Sequence, residues 1–82
     1  MNIFPSKHIN IYDSIFGLAG FLTTLIDGPV AIDNLWTKFN LVNGSKKFPS
    51  HHNHKNFILA LDILFLIGAV KVDDQHNISL CN

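Results

Sequence analysis

Three imidazoles in four consecutive positions, His51, His52 and His54, are the densest set of metal-binding side chains in the sequence. Imidazole is a common ligand for zinc and nickel. A structural zinc site takes four ligands, however, and His8 or His76 would have to be recruited from distant parts of the chain. His51 and His52 close a polar, turn-rich segment over 43–52, with His54 just beyond it, and solvated side chains are expected. Histidine changes charge between about pH 5 and 8, so a pH-dependent contact is the other chemistry open to them. Cys81 is the only cysteine, which excludes a thiolate cage and an intramolecular disulfide. Ser6, Ser14, Ser45, Ser50 and Ser79 stand outside any nucleophile-elbow motif. Gly17-Leu18-Ala19-Gly20 lacks the Gly-Lys-Ser/Thr that completes a phosphate loop. No catalytic, cofactor or metal site is expected, and the chain reads as non-enzymatic.

Composition turns attention from catalysis to binding. At 82 residues there is room for one domain, near the size at which a single core is barely sufficient. The 48% hydrophobic and 15% charged contents exclude a disordered chain. Six lysines balance six acidic residues, all aspartate, and arginine and glutamate are absent. That balance weakens a nucleic-acid reading, since arginine best matches phosphates and guanine edges. Lys46 and Lys47 form the only adjacent basic pair. The opening Met-Asn-Ile-Phe-Pro-Ser-Lys lacks the features of a secretory signal, and a cytoplasmic location is expected. The apolar stretches 14–26 and 57–70 are interrupted by polar residues and fall short of the roughly 20 needed to cross a bilayer.

The elements that would position any binding residue follow from periodicity. Residues 1–11 read as an N-terminal arm or short strand. A first helix is expected over 12–27, with Asp13 or Ser14 as cap, and Asp27-Gly28-Pro29 ending it. Gly17 and Gly20 each cost that helix roughly 1 kcal/mol relative to alanine, so a close neighbour is expected against them. Val30, Ala31 and Ile32 make a short extended piece, and a second helix is expected over 33–42 with Asp33 as N-cap and Leu35, Trp36, Phe39 and Leu41 inward. Phe48 would anchor the following loop. The third helix is expected over 53–67, with Gly68 as C-cap. Val70 and Val72, then Ile78 and Leu80, alternate across turn-forming residues and predict a hairpin over 69–81. The expected fold class is mainly α with a small β-hairpin, a winged helix-turn-helix-like single domain over 1–82.

Residues 57 to 67, Phe-Ile-Leu-Ala-Leu-Asp-Ile-Leu-Phe-Leu-Ile, are polar only at Asp62. A surface helix normally carries an apolar stripe roughly 100° wide, so one that is apolar all round needs cover on more than one side. A chain this short has little with which to supply it. Part of this helix is therefore expected to meet another polypeptide, through Phe57, Ile58, Leu61, Phe65 and Leu66. Asp62 needs a polar partner if buried.

The Ile-Asp-x-Leu-Trp entry to the second helix, the polar loop, the Phe-Ile-Leu-Ala-Leu-Asp-Ile-Leu-Phe-Leu-Ile-Gly-Ala-Val-Lys-Val-Asp run and the closing Ile-Ser-Leu together resemble the small middle components of ABC-three-component systems. Those proteins share a phenylalanine-started xxALDxLxxLGxI helix running into a wing. The resemblance covers about 13–80 and is carried by Phe57, Leu61, Asp62, Leu64, Leu66, Gly68, Val70 and Val72. The family includes the accessory subunit of Lamassu-type anti-phage defence. The resemblance implies an adaptor that docks on an SMC-like or Rad50-like ATPase and holds or restrains an effector such as a nuclease. DNA would then be met only through the complex, and neither a cofactor nor a membrane is implied.

Two other readings stand beside it. One is a dimeric winged-helix DNA-binding regulator using Lys46, Lys47 and Lys55 on phosphates. Its third helix would have to read bases with leucine and isoleucine, and its wing tip, Asp73-Asp74, would be repelled by phosphate. The other is a homodimer that buries the apolar helix against its own copy.

Overall fold

Ser14 opens the first helix: its hydroxyl accepts the Gly17 N–H at 2.8 Å, satisfying one of the amides that a helix start leaves unpaired. This helix, α1, spans Ile15–Leu25 in the computed structural model, which describes residues 11–81. A 3-10 turn, Ile11–Asp13, precedes it, and the rest of the arm expected over 1–11 lies outside the described residues. α1 buries Leu18, Ala19 and Leu22, and Ile26 just past its end is buried too. Lys38 crosses from the next helix to donate its ammonium to the Leu25 carbonyl at 2.7 Å, and it lies 3.4 Å from the Asp27 carboxylate. A cation there meets the negative end of the helix dipole.

Strand β1, Val30–Ala31, runs without a break into α2, Ile32–Asn40. The sequence places the cap at Asp33, and the structure corrects this. Ala31 holds the cap position in extended conformation without a side-chain cap bond, and Asp33 falls in the first turn, where its carboxylate faces the positive helix end. Pairing of Val30 and Ala31 with the sheet fixes the direction of the chain, so the helix starts immediately after the last paired residue. The loop that follows is pinned from within: Phe48 is fully buried and stacks among Tyr12, Phe21 and Phe39.

Helix α3, His54–Leu66, is capped by Asn53, whose side-chain oxygen accepts the Asn56 N–H at 2.9 Å. Its far end is a complete Schellman motif. Gly68, with φ +77°, donates its N–H to the Phe65 carbonyl at 3.1 Å, and Ala69 donates to the Leu64 carbonyl at 2.9 Å. Glycine alone adopts that left-handed conformation without steric cost, so the helix stops there and the chain turns into the sheet.

Strands β2, Val70–Val72, and β3, Asn77–Leu80, form the hairpin, with Val70 opposite Leu80 and Val72 opposite Ile78. Its turn is held by Asp73, whose carboxylate accepts the N–H groups of Gln75 and Asn77, with His76 at φ +64°. β1 pairs antiparallel on the far side of β3, Val30 opposite Ile78, and completes a three-stranded sheet of order β1-β3-β2. The result is a small, mainly helical fold with three helices and an antiparallel sheet.

The core lies where α1 packs along α3, closed by α2, Phe48 and the inward residues Val70 and Ile78. The close neighbour expected at Gly20 is not found among the described residues: a Cβ there would meet none of their atoms within 4 Å.

Candidate functional site

At 100° per residue, the four buried side chains of α3, Phe57, Ala60, Leu61 and Leu64, mark one side of the helix. Lys55, Leu59, Asp62 and Leu66 lie opposite them, within an arc of about 60°, and all four are exposed. Ile58, Ile63 and Phe65 are half-buried on the two flanks. Leu66 is 85% exposed, Ile67 70% and Leu59 43%. The helix therefore divides into a filled side and an open side, and the open side combines two leucines with one ammonium and one carboxylate. Neither Lys55 nor Asp62 makes a hydrogen bond or ion pair with another described residue, and Asp62 meets solvent rather than a buried partner.

Of the five contact residues expected from sequence, the structure puts them at three depths. Leu66 is on the open side, Ile58 and Phe65 are half-covered, and Phe57 and Leu61 are inside the core. Phe57 packs on Trp36 with ring centroids 5.0 Å apart, and Trp36 also meets Phe39 and the ring of His54. A partner approaching this conformation thus touches Leu66 and the flanks directly, with Phe57 and Leu61 supporting them from beneath. Leu59 belongs to the open side and escapes the sequence reading, whereas Ile67 is exposed past the helix end, about 100° round from Leu66. A signal for Leu59 was present: Lys55 and Asp62, seven residues apart, trace the outward line on which Leu59 and Leu66 also fall.

The histidine cluster is not a set of solvated loop residues. His52 is buried, with Nε2 2.6 Å from the Tyr12 carbonyl oxygen and Nδ1 3.1 Å from the Asn56 amide nitrogen. The tautomer with its proton on Nε2 satisfies both contacts, donating to the carbonyl and accepting from the amide. The Asn43 side-chain amide clamps the backbone of the same residue, its oxygen accepting the His52 N–H at 2.9 Å and its nitrogen donating to the His52 carbonyl at 2.8 Å. His51 and His54 are exposed. Among the described residues no group of three or more potential ligands could hold a metal ion.

Lys46 and Lys47 are exposed in the loop between α2 and α3, and Lys55 is exposed in the first turn of α3. At the hairpin tip Asp73 and Asp74 are exposed as well. An open cleft of about 310 Å3 lies between the turn after α1 and the sheet, lined by Ile26, Asp27, Gly28, Pro29, Lys71, Ser79 and Leu80. Asp27 and Lys71 supply its only ionisable groups, with no nucleophile and base paired in it. No helix among the described residues is long and apolar enough to cross a membrane.

The family model of the ABC-three component (ABC-3C) system Middle Component 6 matches residues 4–81. The chain belongs to this family. Middle components are an accessory, non-catalytic class of subunit that associates with the other components of an ABC-three component system. No curated protein and no solved structure matches the chain. For an accessory subunit of this class, the open side of α3, with Leu59 and Leu66 exposed on one line, is a candidate contact surface, beside the exposed Phe16 on α1 and Leu41 after α2.

Proposed function

We propose that this middle component is a non-catalytic, winged-helix-like adaptor in the cytoplasm, seated by the open side of α3 on an SMC-like or Rad50-like ATPase. There it holds or restrains an effector, such as a nuclease, in anti-phage defence of the Lamassu type. The observation that carries this reading is the division of α3: a filled core side and an opposite side on which Leu59 and Leu66 stand in solvent beside one lysine and one aspartate. Family membership supplies the setting in which such a surface would be covered.

The element order supports the winged-helix description. Three helices are followed by a hairpin, and a short strand between the first two helices joins the hairpin at β3. In DNA-binding members of that fold the third helix carries polar and basic side chains to the major groove. Here the corresponding outward line is Lys55, Leu59, Asp62 and Leu66, and the hairpin tip is acidic. Those features favour a protein partner over the DNA-binding alternative built on Lys46, Lys47 and Lys55.

Co-expression with the ATPase and effector components tests the reading. The chain is expected to co-purify with the ATPase in fixed stoichiometry, and Leu66→Lys is expected to abolish this while leaving the circular dichroism spectrum unchanged. Lysine suits that position near a helix C-terminus, so the substitution removes apolar contact without opposing the helix dipole. Unchanged co-purification of the variant would refute docking through this side.

A further inference from the structure

We draw no further inference here: the strongest candidate, the outward face of α1 on which Phe16 stands 72% exposed one turn before the exposed Gly20, carries none because nothing in the structure shows what covers it.

Discussion

The buried His52 ring places Nε2 2.6 Å from the carbonyl oxygen of Tyr12, 40 residues away in sequence. The contact ties the turn before α1 to the start of α3, and the ring's second nitrogen holds Asn56 in the first turn of that helix. A buried imidazole with both nitrogens partnered belongs to the folded framework, which explains why a residue from the histidine-rich segment is enclosed.

Replacing His52 with alanine is therefore expected to cost about 2 kcal/mol, because a buried ring is removed and the Tyr12 carbonyl and Asn56 amide lose their partner. Urea denaturation of His52→Ala beside His51→Ala checks it. The exposed neighbour should change stability by less than about 0.5 kcal/mol.

The two glycines at opposite ends of the argument about backbone freedom should respond with opposite signs. Gly20 lies inside α1 with open space where a Cβ would stand, so Gly20→Ala is expected to stabilise by about 1 kcal/mol. Gly68 has φ +77° at the end of α3, so Gly68→Ala is expected to destabilise by about 1 kcal/mol. Thermal unfolding of both variants reads the two signs.

Lys38 is a third local test. Its ammonium satisfies the Leu25 carbonyl at the end of α1, and Lys38→Met keeps the apolar stem but removes the donor. A loss of about 1 kcal/mol is expected in chemical denaturation. The exposed ion pair with Asp27 contributes little of this, so Asp27→Asn should be nearly neutral.

Much of this architecture was legible in the chain. The Asp13-Ser14 pair and Gly68 announce the start of α1 and the end of α3, with Ser14 the one of the pair that caps, and alternation of Val70, Val72, Ile78 and Leu80 announces the hairpin, because caps and strand alternation are set by neighbours in sequence. Asp33 misled because the start of α2 is fixed by pairing of Val30 and Ala31 with β3, a contact some 47 residues away that no local pattern reveals. His52 misled for the same reason, since its partners Tyr12 and Asn56 come from opposite sides of the loop. On α3, the apolar excess was plain but its orientation was not: Phe57 and Leu61 pass for contact residues until α1 and α2 are in place beside them.

That orientation separates two kinds of α3 variant. Phe57→Ala empties a filled site and is expected to destabilise the fold by about 3–5 kcal/mol, so any loss of binding would follow from unfolding. Leu59→Gln should leave stability within about 0.5 kcal/mol and weaken association alone. Melting temperature and co-purification measured on the same two proteins check the split.

Site-specific photo-crosslinking in the assembled system addresses the docking side of α3 most directly. A photoreactive residue placed at position 66, on the open side, is compared with one at position 34, exposed on α2. Crosslinking to the ATPase component from position 66 and not from position 34 is the expected result. A silent position 66 in a complex that crosslinks through position 34 would contradict docking by α3.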